Sequence, residues 1–421
     1  VDSWLIGLAL KLGMAAGKLN SRVVVGCDTR TSSSAMKHAL IAGLLAAGAE
    51  SYDAGVVPTP TLALAAGGFD AGIMITASHN PPEYNGIKMI NPDGSAFNRQ
   101  QQQQIEAMLE NNTITAAAWD KFKSSQPYPD AVEKHTAKIL ADFPGRFSLK
   151  VVLDCDCAAG SVITPQLLQR MGCDVIKMNC NPGGFFPHAI EPTEANLVEL
   201  MKKVRESNAD LGIAHDGDAD RLMAVDDRGR FINGDKLLVI LAGEIGTGKV
   251  VTTIDASMAV EESGFKIVRT SVGDNCISEE LKNGGIFGGE PSGSWIIPAN
   301  SLCPDGIYTA ALLTSIATKK KLSKLVDDIT GYPILRGSVN SDGVIMQQLE
   351  KALIAAVKPL SVSRTDGIKL NLEDGWLLLR ASGTEPKIRL TVEAKTQEKA
   401  KEMYNISIKL IKDVAAGKAE I

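Results

Sequence analysis

The sequence predicts an α/β protein of four domains: three similar α/β domains with mainly parallel mixed sheets, then a C-terminal α+β domain with an antiparallel sheet, with four loops around one central cleft. Three observations carry this expectation. A strand, helix, strand unit recurs three times. Beyond Gly331, Tyr332 and Pro333 the pattern changes to short alternating segments between helices. Finally, 421 residues are too many for one ordinary hydrophobic core.

An amphipathic helix starts directly after Val1, Asp2, Ser3 and Trp4, with no signal-peptide pattern. The repeat follows. Residues 23–28, 151–156 and 250–255 are β-branched runs that each close on an acidic residue. Helices are expected at 36–47, 165–171 and 256–263, and each stops at a glycine, Gly48, Gly172 or Gly264, as a C-terminal cap would. Second strands are expected at 50–53, 174–178 and 265–269. After a further helical segment, each unit supplies one more apolar strand, and these run into 76–81, 215–221 and 288–293. Ligands of open α/β sheets sit beyond the carboxyl ends of the strands, so three equivalent loops should face one cleft.

Spacing sets the boundaries. The glutamine run 100–104 reads as a solvated helix face, and 124–129 and 227–230 with Gly234 read as linkers. The expected domains are 1–130, 131–230, 231–334 and 335–421. In the last, 366–370, 375–380 and 387–393 are alternating strands, with helices over 341–357 and 396–415.

Apolar residues make up 44% of the chain, mean hydropathy is near zero, and no run approaches the ~20 apolar residues of a membrane span. A net charge of -5 argues against a general nucleic-acid surface. Seven scattered cysteines fit reduced thiols; Cys155 and Cys157 are close, but no second Cys or His pair completes a zinc site. A cytoplasmic monomer or homodimer is expected, with no membrane or nucleic-acid partner.

Four stretches carry candidate chemistry. The apolar run before Ser78 breaks at His79, Asn80, Pro81 and Pro82, which lifts one hydroxyl into a turn. Ser78 can carry a phosphate, His79 is a neighbouring imidazole and Lys88 a cation ten residues on, all parts that phosphoryl transfer needs. A Pro-rich capping turn explains the same spacing. Asp216, Asp218 and Asp220 place three carboxylates between two apolar strands; they repel unless a cation neutralises them, and all-oxygen ligation suits Mg²⁺. An EF-hand would need glycine where Arg221 stands, whereas a solvated acidic hairpin fits. Glu290 and Ser292 lie on a glycine-rich turn that can hydrogen-bond sugar hydroxyls, or be an ordinary turn. Arg380, Ser382, Gly383, Thr384 and Arg389 combine guanidiniums, hydroxyls and turn amides suited to a phosphate dianion, or form a charged hairpin.

Thr76, Ala77, Ser78, His79, Asn80 and Pro81, with Asn85, Gly86 and Lys88, resemble the phosphoserine loop of the α-D-phosphohexomutases, and the other three stretches extend the resemblance over nearly the whole chain. It implies Ser78 as the phosphorylated residue, flanked by His79 and Lys88. It implies Asp216, Asp218 and Asp220 as Mg²⁺ ligands, joined by the phosphate on Ser78, and Arg221 as a phosphate or sugar contact. Glu290 and Ser292 become the sugar readers, and Arg380, Ser382, Gly383, Thr384 and Arg389 the phosphate dock. His215 is expected to pack rather than ligate. Ser294 stands where the family often has His, which makes Lys88 the first candidate for proton transfer, provided that its pKa is lowered. The family's first strand, which carries a Gly-Ile-Arg-Gly type segment and an active-site arginine, has no match here.

The implied activity is that of a mutase acting on a hexose monophosphate, with a sugar bisphosphate as intermediate and activator. The spelling around Asp218 and Asp220, the wording of 380–386 and Gly184, Phe185, Phe186, Pro187 and His188 look most like the phosphoglucosamine mutase branch and its archaeal relatives. Interconversion of glucosamine 6-phosphate and glucosamine 1-phosphate is therefore expected first, with glucose or mannose phosphates second. A phosphosugar-binding protein without turnover and a hydrolase using Asp216 as nucleophile are the readings from other classes.

Overall fold

The computed structural model describes residues 3–111, 114–340, 344–381 and 387–416, and forms four sheets in chain order. The first contains β1 (Arg22–Cys27), β2 (Glu50–Val56), β3 (Ala71–Ile75), β4 (Ile87–Ile90) and β5 (Ser125–Pro127), in the order β4-β3-β1-β2-β5. The second contains β6 (Lys150–Asp154), β7 (Asp174–Met178), β8 (Leu211–His215), β9 (Leu222–Val225) and β10 (Phe231–Ile232), in the order β10-β9-β8-β6-β7. The third is β12-β11-β13-β14, built from β11 (Lys249–Thr253), β12 (Lys266–Thr270), β13 (Phe287–Gly289) and β14 (Trp295–Ile296).

One plan underlies all three. The first strand of each unit pairs in parallel with the second and third, and the third turns back into an antiparallel fourth. The parallel strands are near-continuous Val, Ile and Leu because helices cover both faces; Val23, Val24, Val25, Val151, Val152 and Val250 are all fully buried. Gly48, Gly172 and Gly264 have φ values of 90°, 92° and 82°, the left-handed conformation that ends each helix without a Cβ penalty. The turn from third to fourth strand holds Ser78 in the first unit, the three aspartates in the second and Glu290 in the third. A shared plan thus places three different chemistries at equivalent carboxyl ends.

The fourth sheet is antiparallel throughout: β15 (Ile334–Asn340), β16 (Ser361–Ser363), β17 (Ile368–Leu372), β18 (Gly375–Ala381) and β19 (Lys387–Ala394), in the order β15-β19-β18-β17-β16. Leu349 and Leu353 of the helix Met346–Val357 and Met403 and Ile411 of the helix Gln397–Ala415 pack on Leu370, Leu379 and Leu390. Docking against the third domain is polar as well as apolar. Buried Glu393, held within its own sheet by Trp376 Nε1 at 2.5 Å, accepts across the boundary from the Ser257 hydroxyl and from Met258 N at 2.7 Å, and Lys369 Nζ donates to the Ile254 carbonyl at 2.7 Å.

Several local expectations differ. The segment expected to link the first two domains supplies β5, which pairs in parallel with β2 as an edge strand. Its anchor is aromatic: Tyr128 meets Phe69 edge-on at 5.3 Å, and Phe69 meets Tyr52 at 4.7 Å. The polar turn at 227–230 is a hairpin between β9 and β10, closed by Asp226, whose carboxylate accepts from the backbone of Arg228 and Arg230. The helix expected over 256–263 shortens to Ala259–Glu262, and β15 comes from a segment not expected to be a strand. No cysteine is disulfide-bonded, and no helix among the described residues is long and apolar enough to cross a membrane.

Candidate active site

Beyond β3 the chain enters a turn in which Ser78 has a φ of 50°, a strained value for a residue with a side chain. Arg30 holds it there. Every N–H of this buried guanidinium is used: Nε donates to Asp28 Oδ2 at 3.0 Å, one terminal nitrogen to the carbonyls of Pro81 and Tyr84 at 2.7 and 3.0 Å, and the other to those of Ser78 and Asn80, both at 2.7 Å. Asp28 also accepts from the hydroxyls of Ser33 and Thr76, and Thr76 Oγ1 accepts from Ser78 N at 2.9 Å. The Ser78 hydroxyl is thereby aimed at the second domain, where it donates to Asp216 Oδ2 at 2.7 Å.

Motif reading missed Arg30. The available signal was its position two residues beyond an acidic strand end, where functional side chains of α/β sheets collect. Lysine retains the charge but cannot span four carbonyls in one plane. Arg30→Lys is therefore expected to cut kcat about a hundredfold while KM stays within about threefold, in steady-state assays run well below the melting temperature of the variant. Equal kcat and KM changes would mark Arg30 as a general fold contact only.

The second loop approaches so closely that a Cβ on Gly217 would lie 2.4 Å from the Ser78 carbonyl; only glycine fits. Asp216, Asp218 and Asp220 are buried, and one carboxylate oxygen of each lies within 4.8 Å of the others. Asp218 Oδ2 accepts from Thr59 Oγ1 at 2.5 Å, and Lys88 Nζ donates at 2.7 Å to both Asp218 Oδ2 and Asp220 Oδ2. Burial and the neighbouring carboxylates push Asp216 well above the usual carboxylate range and Asp220 up to about 6, whereas for Asp218 burial is offset by the Lys88 ammonium together with hydrogen bonds from Lys88 and Thr59 and the Ser78 hydroxyl, which lower it. The second oxygens of Asp218 and Asp220 are buried without a hydrogen-bond partner. Three crowded carboxylates, two of them with an orphaned oxygen, fit a hard divalent cation such as Mg²⁺.

Burial acts to lower the pKa of Lys88, while the Asp218, Asp220 and Asp274 carboxylates act to raise it and hold the ammonium well above its ordinary value. In this arrangement it acts as a counter-charge within the trio. His79 differs: burial, aided by Arg221, lowers its pKa, and its buried Nδ1 has no hydrogen-bond partner. His215 packs, with Nδ1 on the Arg221 carbonyl at 3.0 Å and Nε2 on Thr164 Oγ1 at 3.1 Å.

The third loop lies directly against the second: Arg221 and Ser294 form an antiparallel bridge, and Leu222 N donates to the Gly293 carbonyl at 2.9 Å. Glu290 accepts from Gly273 N at 2.6 Å and from Ser292 Oγ at 2.9 Å. A cavity of about 680 Å³ joins the first three loops and is lined by Ser78, His79, Lys88, Arg221, Glu290 and Ser294, among others. Ser292 faces a neighbouring cavity of about 210 Å³ instead.

Arg380 and Arg389 sit directly opposite each other on β18 and β19. With Arg336 they line a separate cavity of about 380 Å³, and Arg380 pairs with Asp366 at 2.8 Å. Ser382, Gly383 and Thr384 lie outside the described residues.

A loop of the second domain braces the back of the Ser78 turn, with Phe186 5.5 Å beneath the Arg30 guanidinium. His188 Nε2 lies 3.2 Å from Asp154 Oδ2, and this contact raises His188 to about 9. A histidine whose folded pKa exceeds its ordinary value of about 6.5 stabilises the fold fully below that pH and ceases to do so as pH rises through 9. With the side chain 26% exposed, His188→Gln should cost about 1 kcal/mol at pH 6 and nothing by about pH 10, read as the difference between parallel thermal melts.

Family models described as phosphoglucomutase/phosphomannomutase α/β/α domains I, II and III match residues 4–115, 126–229 and 233–332, and the C-terminal domain of the same family matches 344–405. The chain is 45% identical over 412 residues to the probable phosphoglucosamine mutase of Methanocella arvoryzae, covering 96% of this chain and 94% of that one. It is 46% identical over 414 residues to the probable phosphoglucosamine mutase of Methanosarcina acetivorans, covering 96% and 95%. Among solved structures, a phosphoglucomutase/phosphomannomutase family protein from Burkholderia thailandensis superposes with a TM-score of 0.87 at 26% identity, covering 100% of this chain and 95% of that one. The N-acetylphosphoglucosamine mutase of Aspergillus fumigatus, in complex with GlcNAc-6P and magnesium, shares the fold with a TM-score of 0.59 at 15% identity, covering 85% and 92%.

Proposed function

The chain belongs to the phosphoglucomutase/phosphomannomutase family and is a phosphohexomutase, and from that premise we propose that it interconverts glucosamine 6-phosphate and glucosamine 1-phosphate through a phosphorylated Ser78. One observation carries the mechanism. The Ser78 hydroxyl, fixed in a strained turn, reaches 2.7 Å to a buried three-carboxylate cluster at the edge of a cavity that Glu290 also lines. The amino sugar is supported by the names of the archaeal relatives at 45–46% identity.

In this reading residues 1–130 carry the phosphoserine, 131–230 the metal loop, 231–334 the sugar loop and 335–421 the phosphate dock. Asp216, Asp218 and Asp220 would hold Mg²⁺, which would supply positive charge to the transferring phosphoryl. Glu290, backed by Ser292, accepts hydrogen bonds from sugar hydroxyls. Arg380 and Arg389, with Ser382, Gly383 and Thr384, hold the phosphate that is not reacting, and Arg221 contributes a further cation. The bond from phosphorus to Ser78 Oγ breaks as one forms to the sugar oxygen, and the sugar hydroxyl proton passes by way of His79, which lines the cavity, to the departing Ser78 Oγ. Lys88, paired with Asp218 and Asp220, balances charge around the trio. The bisphosphate turns end for end, its other phosphoryl returns to Ser78 Oγ, and the proton released from the Ser78 hydroxyl passes back by way of His79 to the sugar oxygen left behind. A sugar bisphosphate serves as activator by recharging an unphosphorylated Ser78.

The test is kcat/KM for glucosamine 1-phosphate, glucose 1-phosphate and mannose 1-phosphate, measured side by side with Mg²⁺ and a priming bisphosphate. The amino sugar should lead. Preference for either neutral sugar would replace the substrate and leave the chemistry standing.

A further inference from the structure

Discrimination between glucosamine and glucose comes down to one substituent. At C2 the amino sugar carries a primary amine that, like an α-amino group, is largely protonated near neutrality, where glucose carries a neutral hydroxyl. A pocket that prefers the former needs a carboxylate without a cation of its own, placed beside the group that reads the adjoining ring hydroxyls.

The main cavity holds few candidates. Asp220 is occupied by Lys88, and Glu290 already accepts from Gly273 N and Ser292 Oγ. Glu106 lies exposed on the helix Arg99–Glu110, beside Ile105 and Leu109, among the apolar residues of the cavity wall. Asp274 is different. It lines the cavity as the first residue of the helix Asp274–Lys282, half-buried, and one of its oxygens accepts from Asn275 N at 2.9 Å. Among the described residues the other oxygen has no hydrogen-bond partner and no cation lies within ion-pair distance of the carboxylate; Lys88, held at 2.7 Å by Asp218 and Asp220, interacts with it only at longer range. Asp274 is also held in register with the sugar reader: Gly273 N donates to Glu290 Oε1 at 2.6 Å, so the residue immediately before Asp274 is tied to Glu290.

We propose that Asp274 is the specificity residue that binds the C2 ammonium of the amino sugar while Glu290 holds the neighbouring hydroxyls. This rests on the glucosamine reading above and adds the residue that enforces it. Sequence inspection passes over Asp274 because an aspartate at a helix start ordinarily serves the helix itself. In the folded chain it faces the cavity with one oxygen unclaimed.

Asp274→Asn replaces the carboxylate by an isosteric amide and removes the charge that would face the ammonium. It is expected to reduce kcat/KM for glucosamine 1-phosphate about tenfold to a hundredfold, with glucose 1-phosphate changing less than about threefold. Asp274→Ser, which keeps a side-chain acceptor at the helix start, gives the same comparison in a second background. Binding of glucosamine 6-phosphate and glucose 6-phosphate to Ser78→Ala protein, with and without Asp274→Asn, reads the same ratio by calorimetry without turnover. Collapse of the amino-sugar preference in these variants supports the assignment. If both sugars weaken alike, or the preference survives, Asp274 is not the reader, although the glucosamine activity stands. If the native protein shows no amino-sugar preference, the substrate reading falls and the role of Asp274 falls with it.

Discussion

Ser78→Ala should lower kcat for phosphosugar interconversion by about 10⁴-fold or more, because the turn then has no hydroxyl to carry the phosphoryl between the two sugar positions. The hydroxyl makes one buried hydrogen bond, to Asp216, and the turn around it is held by Arg30, Asp28 and Thr76, none of which the substitution touches. The variant should therefore keep its melting temperature within a few degrees and bind hexose phosphate almost as the native protein does. Phosphosugar binding without native turnover would point to a binding protein; undiminished release of free phosphate by Ser78→Ala would point to a hydrolase acting through Asp216.

The second large effect concerns the trio. Asp216→Asn keeps an acceptor for Ser78 Oγ but removes one of three carboxylates that lie within 4.8 Å of one another. Activity should fall about 10³-fold, as expected when charge stabilisation at a transferring phosphoryl is removed. Stability should move the other way. In metal-free buffer burial, Asp220 and Asp218 already hold the Asp216 carboxyl well above the usual carboxylate range, so replacing it by an amide removes little buried charge and should leave the melting temperature equal or higher. The native protein should gain melting temperature on adding Mg²⁺, and Asp216→Asn should lose most of that gain. A full Mg²⁺-dependent gain in the variant would remove the trio as the metal site.

Much of this is legible in the sequence because it is local. A Val-rich run, a helix and a left-handed glycine recur at 23–48, 151–172 and 250–264, and the strand period and the cap chemistry do not depend on distant partners. The aspartates announce themselves by crowding. What escapes is long-range. Ser125, Gln126 and Pro127 have little strand propensity and form β5 only because Tyr128 packs on Phe69, far away in sequence. Arg30 looks like any surface arginine until the Ser78 turn folds over it, some fifty residues on. Lys88, ten residues beyond Ser78, becomes a candidate for proton transfer because Ser294 stands where a histidine is common, but its pairing with Asp218 and Asp220 on another domain shows only in the fold. Asp274 counts only once Gly273 is seen to hold Glu290.

The central claim is that phosphate resides on Ser78 between half-reactions. Native protein would be incubated with glucose 1,6-bisphosphate and Mg²⁺, digested, and its phosphopeptides mapped by mass spectrometry before and after a chase with glucosamine 6-phosphate. One phosphoryl on Ser78 that departs in the chase, with a matching sugar bisphosphate released, is the expected result. Turnover with Ser78 unmodified throughout, or with the phosphoryl instead on Asp216 as a hydroxylamine-sensitive acyl phosphate, would contradict it.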